Sequence, residues 1–446
     1  MKTRITCCIF VLVLWACDET INPKPVDLLV DDLALNEPGD VANVEIGLYS
    51  AFRGMVYNTI IAGDLTADMM LHNGTFSQYR EIGIKQITSA NASAAELWAG
   101  IYYTAYIANF ILERLPDLPG VPTAQRQRVL GTAHFLRGYA YFIGTYTFGG
   151  IPRVTSTDFE TNRNIARSDR QEILNLIVED YGAAINTLPA QAANAGFATT
   201  LAVRAALAKL YLYTGNWAQA ETFASEVINS NEFTLEPDFS DVVLTDFTSE
   251  AIFEVGYTIA DDPGTLNTLF EGRREIIPSN ETIIALASTE SGDRFSSIAF
   301  NVLNLKGNDN GWTIRKYGTA VDDNNNIVIF RLPEMYLIRA EARAQQGRAT
   351  GANSARDDVN VLRSRANAPL VGVVSQAQML TVIENERRME LAFEGHRWYD
   401  LVRTNRATAV MTAFSPNWKD TYLLWPVPQR ELQNNPALAN DQNPGY

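Results

Sequence analysis

Two separated stretches of this chain, residues 204–228 (RAALAKLYLYTGNWAQAETFASEVI) and 335–363 (MYLIRAEARAQQGRATGANSARDDVNVLR), repeat one pattern: helix, glycine turn, helix. Each has a glycine closing the first helix, Gly215 or Gly347, and an alanine seven positions earlier, Ala208 or Ala340. The alanines let two helices approach closely, and the glycines take the left-handed conformation that ends a helix. A chain written this way is predicted to be all-α, built from packed helical hairpins.

Helix hairpins of this type resemble tetratricopeptide repeats, but long insertions between them exclude a regular solenoid. Further helices are predicted over 94–115, ended by Pro116, and over 123–146, ended by Gly149-Gly150-Ile151-Pro152. Ser168 with Gln171, and Ser375 with Gln378, fit capping boxes that close free N–H groups at helix starts. Behind the first, Ile173, Leu174, Ile177 and Tyr181 repeat at helical spacing until Leu188-Pro189. Behind the second, Leu380, Ile383 and Leu391 do the same.

Two segments break the helical pattern. Residues 59–92 are rich in Gly, Asn, Ser and Thr. Residues 236–327 hold Asp261-Asp262-Pro263-Gly264 and Asp322-Asp323-Asn324-Asn325-Asn326, with β-like runs at 251–257 and 327–331. Loops on a rigid scaffold are where binding groups concentrate, so both insertions are candidate functional regions.

The N-terminus carries an address. Lys2 and Arg4 precede an apolar stretch over 5–15, too short to span a bilayer, and Ala16-Cys17 ends it. This resembles a bacterial lipoprotein signal cut before Cys17, whose thiol accepts lipid. Cys7, Cys8 and Cys17 are the three cysteines of the 446 residues, so the processed chain has no internal disulfide and depends on its core. Residues 1–16 are therefore read as signal and 17–40 as lipid attachment and polar tether. Residues 41–446 form the helical domain, with its insertions near 59–92 and 236–327. A net charge of −15 disfavours nucleic acid and anionic membrane surfaces as partners, leaving the lipid as the membrane contact.

No catalytic signature stands out. The three histidines, His72, His134 and His396, are far apart in sequence, and there is no H-E-x-x-H, P-loop or G-x-S-x-G. Neither metal nor cofactor is expected. The densest charged stretch, residues 384–403, reads as a seam of ion pairs: Glu384 with Arg388, Glu390 and Glu394 with Arg397, and Asp400 with Arg403. His396 and Asp400, at i and i+4, are the weaker metal-ligand alternative.

The sequence FEGHRWYDLVR from Phe393 resembles the C-terminal signature of the SusD/RagB family, nutrient-uptake outer-membrane lipoproteins of Bacteroidetes. FLRGYAYFIGTYTFGGIP from Phe135, AALAKLYLYTGNW from Ala205, AIFEV from Ala251, FRLPEMYLIRAEARAQQG from Phe330 and LLWPVPQREL from Leu423 follow in the family's order. So does the helix around Trp98, Tyr103 and Asn109. The resemblance implies one α-helical domain on four tetratricopeptide-like hairpins, with irregular loops on the ligand side. It implies a lipid anchor at Cys17 on the outer face of the outer membrane, with Asp18 and Glu19 resembling a surface-export signal. It further implies a non-catalytic protein that captures a nutrient, an oligo- or polysaccharide, and passes it to a SusC-like TonB-dependent β-barrel. Peptide cargo, or a surface glycan-degrading enzyme, are the alternatives. The family's ligand residues have no motif to transfer. Tyr79, Tyr257 and Trp312 are nominated as sugar-stacking rings because they lie in the insertions, with Asn73 and Arg80 as polar neighbours. Trp98, Trp217, Trp398 and Trp425 are assigned to the core.

Overall fold

The computed structural model describes residues 35–257, 265–300, 305, 309–318 and 325–446. The signal, Cys17, most of the tether, the Asp261–Gly264 cluster and residues 322–324 lie outside the described residues. Ten helices carry the frame: α1 (Val41–Ile60), α2 (Ala92–Arg114), α3 (Thr123–Phe148), α4 (Arg170–Ile185), α5 (Thr200–Tyr213), α6 (Trp217–Ile228), α7 (Leu332–Gln345), α8 (Ala355–Arg365), α9 (Gln376–Glu390) and α10 (Arg397–Arg403). They pair as four hairpins, α1/α2, α3/α4, α5/α6 and α7/α8, and each helix also packs on the next in sequence. This is the four-hairpin frame that the sequence resemblance implies. None of the described helices is long and apolar enough to cross a membrane.

The helix starts are closed by short polar side chains. Asn91 accepts from the Ala94 amide, Thr199 from Ala202 and Asn216 from Gln219. The box at Ser375 and Gln378 forms as expected. The one at Ser168 does not: Ser168 lies in a strand, and Asp169 caps α4 by accepting from the Glu172 amide at 2.9 Å. An ionised carboxylate is the stronger acceptor there and also favours the positive end of the helix dipole. Gly215 and Gly347 close α5 and α7 with φ of +74° and +81°.

Among the described residues, eight short strands make four antiparallel pairs. β1 (Met70–His72) pairs with β5 (Ile276–Pro278), and β2 (Ile151–Pro152) with β3 (Arg167–Ser168). β4 (Ala251–Val255) pairs with β8 (Ile327–Arg331), and β6 (Ile298–Phe300) with β7 (Trp312–Ile314). The two β-like runs of the second insertion are thus partners of each other. Phe253 of β4 sits 5.2 Å from Phe135 of α3 and 6.0 Å from Phe52 of α1, and Phe330 of β8 lies 5.7 Å from Tyr139 of α3. These rings, all buried, fasten the strand pair to the first two hairpins. Each contributes about 1.5–3 kcal/mol by leaving water.

Residues 59–92 depart from the loop expectation. The chain leaves α1 directly into a wide turn of helix at Ile61–Leu65, and residues 59–70 are all buried. The reason is a contact with the C-terminal signature. A Cβ on Gly63 would lie 2.0 Å from the Gly395 carbonyl oxygen, so two backbones touch where no side chain fits. Asp64 then accepts the amides of Gly395 and Arg397 at 2.9 and 3.1 Å, which ties the FEGHRW turn to the end of α1.

The charged seam exists, but its partners are mostly not the sequence neighbours. Glu384 pairs with Arg397 and Arg406 rather than Arg388, while Arg388 and Arg397 meet at Asp68. Glu390 pairs with Arg294, Arg331 and Arg365, and Glu394 with Lys316 and Arg331. The expected Asp400–Arg403 pair forms at 2.8 Å. Packing of α9 against segments remote in sequence brings these cations in, and a helix neighbour three or four residues away cannot compete with a fully buried guanidinium. His396 and Asp400 do not share a ligand set: His396 lies near Lys209 and Glu334, whereas Asp400 is taken by Arg387 and Arg403. Trp98, Trp398 and Trp425 are core residues, but Trp217 is half-buried.

Candidate functional site

The two loop-rich insertions meet at the strand pairs β1–β5 and β6–β7, which adjoin through β5 and β7. β1 delivers Asn73 just past its end. The backbone amides of Asn73 and Gly74 bond to the Glu275 carbonyl at 2.8 and 3.2 Å, extending the β1–β5 ladder. The Glu275 carboxylate reaches back to the Phe76 amide and to His72 Nε2, at 3.2 Å from the latter. Burial pushes the His72 imidazole below its usual range, and Glu275 only partly opposes this.

Arg274, held at a φ of +51°, turns its guanidinium onto Asp309, with Nη2 at 2.5 Å from Oδ1 and Nε at 3.1 Å from Oδ2. Arg274 holds the Asp309 carboxyl below the usual carboxylate range. Asp309 Oδ1 also accepts the Gly311 amide, and Asn310 Oδ1 accepts the Trp312 amide at 3.1 Å. The turn that presents Trp312 is therefore fixed by its own side chains and by a bidentate ion pair to the neighbouring strand. Asn73 joins it by donating from Nδ2 to the Arg274 carbonyl at 2.9 Å.

Around this polar frame stand rings. Trp312 is 5.3 Å from Phe295 and 5.3 Å from Phe300, in edge and tilted arrangements. Phe300 is 56% exposed and Phe295 36%, so the cluster keeps apolar surface open to solvent. Beside it, Asn73 Oδ1 and Arg274 Nη1 are buried without a hydrogen-bond partner among the described residues. An open aromatic surface suits a ligand with C–H faces.

Of the five nominated residues, Asn73 and Trp312 belong to this cluster, joined through Arg274 and Asp309. Arg80 is exposed nearby, close enough to act electrostatically on His72. Tyr79 does not present a ring: it is 5% exposed on the helical turn Ser77–Gly83, with Phe76 at 6.1 Å. Its hydrophobic face was needed to seat that turn on the core. Tyr257 lies at the end of β4, half-buried, with the Arg53 guanidinium 5.1 Å from its ring centre. Phe295, Phe300, Arg274 and Asp309 were not singled out from sequence. The available signal was the Asp309-Asn310-Gly311 turn between Phe300 and Trp312, a hairpin pattern that places both rings on one strand pair.

Comparison with known proteins gives concordant matches. Residues 279–446 match the family described as the SusD family, and residues 25–212 the one described as starch-binding associating with outer membrane. SusD-like protein P38 of Formosa agariphila is 26% identical, with 97% of this chain and 96% of that protein covered. The starch-binding protein SusD of Bacteroides thetaiotaomicron is 33% identical over 28% of this chain and 23% of its own. Among solved structures, a laminarin-binding SusD-like protein superposes with a TM-score of 0.80 at 23% identity, covering 92% of this chain and all of that one. Surface glycan-binding protein A from Bacteroides fluxus gives 0.78 at 21%, with the same coverage.

Proposed function

Because this chain belongs to the SusD family, we propose that it is a non-catalytic binding protein of the outer membrane that captures an oligo- or polysaccharide. The observation that carries the reading is the open Phe295–Phe300–Trp312 surface, with Phe300 and Phe295 exposed to solvent. Sugar C–H faces stack on the rings, which the Asn73–Arg274–Asp309 frame holds in place. Relatives named for binding starch, laminarin and surface glycans support a glycan ligand.

On the same reading, lipid at Cys17 holds the protein on the outer face of the membrane, and the cargo passes to a SusC-like TonB-dependent barrel. Titration of the detergent-solubilised protein with laminarin and starch oligosaccharides tests the capture step. Trp312→Ala should weaken the glycan that binds by about 2 kcal/mol, roughly thirtyfold in Kd. Unchanged affinity in that variant, or release of shorter products from the bound glycan, overturns the proposal. Co-purification of a large β-barrel with the lipidated protein tests the delivery step.

A further inference from the structure

A cavity of about 220 Å³ shares no residue with the aromatic site. α1 supplies Glu45 and Tyr49 to it, α3 supplies Arg128 and Thr132, and the turn joining α4 to α5 supplies Gln191 and Phe197. That turn is pinned on both sides of Phe197. The Glu254 amide of β4 donates to the Ala195 carbonyl at 2.9 Å, and the Ala198 amide donates to the Tyr49 hydroxyl at 2.9 Å. Between these two bonds the Phe197 ring stands 42% exposed, 5.9 Å from the Tyr49 ring in an edge arrangement. A ring kept in water by a fixed backbone is a platform that a ligand does not have to order.

The polar side of the cavity is an ion pair with donors to spare. Arg128 Nη1 donates to both oxygens of the buried Glu45, at 2.5 and 2.6 Å. Arg128 Nε and Nη2 have no hydrogen-bond partner among the described residues, and neither is a buried atom: the side chain is 39% exposed. Gln191 donates from Nε2 to both oxygens of Glu232, at 3.3 and 3.2 Å, which leaves its Oε1 as an unused acceptor. The ion pair cancels its own charge, so the cavity selects a neutral ligand. The two open guanidinium donors match adjacent hydroxyl oxygens, Oε1 accepts a hydroxyl hydrogen, and the ring takes a C–H face. An apolar side chain seated here would cover the donors without pairing them. The volume falls below the roughly 300–1,000 Å³ of a drug-sized pocket, which suits one sugar unit.

We propose that this cavity is a second glycan contact, taking one neutral hexose unit with Phe197 as its platform and Arg128 and Gln191 as its hydrogen-bonding partners. It rests on the reading that the chain captures a glycan. A polymer that engages both contacts is held by avidity, because the second contact forms within the same complex.

The test is ligand-observed saturation-transfer NMR on the full chain in deuterated detergent, titrated with laminaritriose and with maltotriose. The Trp312→Ala protein, its aromatic site weakened, should still bind at least one of them. Adding Phe197→Ala should weaken that remaining binding about tenfold, the range of one ring contact. Adding Gln191→Ala instead should weaken it about two- to tenfold, the range of one hydrogen bond. Both side chains are exposed, so neither exchange opens the core. A trisaccharide that the parent binds and Trp312→Ala does not leaves the aromatic site standing and overturns this one. Equal remaining affinity with and without Phe197 overturns it as well, since the residual binding then lies elsewhere. A parent that binds neither trisaccharide refutes both sites together.

Discussion

Replacing Arg331 with methionine removes the central cation of the buried network while nearly preserving side-chain volume, so the effect is electrostatic rather than a cavity. Arg331 is 2% exposed and meets three carboxylates: Glu394 at 3.0 Å from Nε, and Glu390 and Glu250 at 2.7 and 3.3 Å from Nη1. After the change Glu390 keeps Arg294 and Arg365, Glu250 keeps Arg365, and Glu394 keeps Lys316 alone. Breaking such a buried pair costs about 3–5 kcal/mol. For a chain of this length that is a fall in Tm of about 3–5 °C.

The pH dependence carries the diagnosis. Burial alone would raise the Glu390 and Glu394 carboxyls, but the arginines around Glu390, and Arg331 with Lys316 beside Glu394, outweigh it and hold both below the ordinary value of 4.5. A depressed carboxylate contributes stability at neutral pH that is lost as pH falls through its folded value. The destabilisation of Arg331→Met should therefore be largest at neutral pH and shrink as pH falls from the ordinary value of 4.5 through the depressed folded values, beyond which the carboxylates of both proteins are protonated. Adding Glu394→Gln should recover part of the loss, because the charge left least compensated is then gone. Thermal unfolding by circular dichroism at neutral and acid pH reads all three. A fall below about 1 °C at neutral pH, or an equal fall at both, refutes the reasoning.

Burial pushes the Glu254 carboxyl up to about 7, against hydrogen bonds from Asn326 and the Phe247 amide, so the folded state holds a proton that the unfolded chain releases. Stability from that group is lost as pH rises toward and through 7, and Glu254→Gln should gain on the parent over that rise and match it near pH 4 in urea titrations. Tyr79→Phe should leave glycan affinity unchanged, since the ring is buried; a tenfold loss by calorimetry would return Tyr79 to the ligand surface. Ser375→Ala, which deletes the cap of α9, should cost about 1 kcal/mol, checked by the same urea titrations. Cys17→Ser should release the protein from membranes on fractionation, and persistence in the membrane pellet would refute the lipid anchor.

What the sequence by itself determined is local. The hairpins around Gly215 and Gly347, the cap at Ser375 and the breaks at Pro116 and Gly149 are written within a turn or two of the residues they organise. Helical spacing and turn chemistry need no distant partner, so they read correctly; only Ser168, beside the stronger Asp169, was misassigned as a cap. The tertiary structure alone decided which charges pair and which rings face water. Glu390 is neutralised by arginines 25, 59 and 96 residues away, and Asp64 caps a turn more than 300 residues on. Trp312 and Tyr79 are equally plausible loop aromatics until β6–β7 carries one outward and the core absorbs the other. Such outcomes depend on which surfaces the packed hairpins leave uncovered, and the low dielectric of the interior makes each buried charge answer to its nearest neighbour in space, whatever its place in the chain.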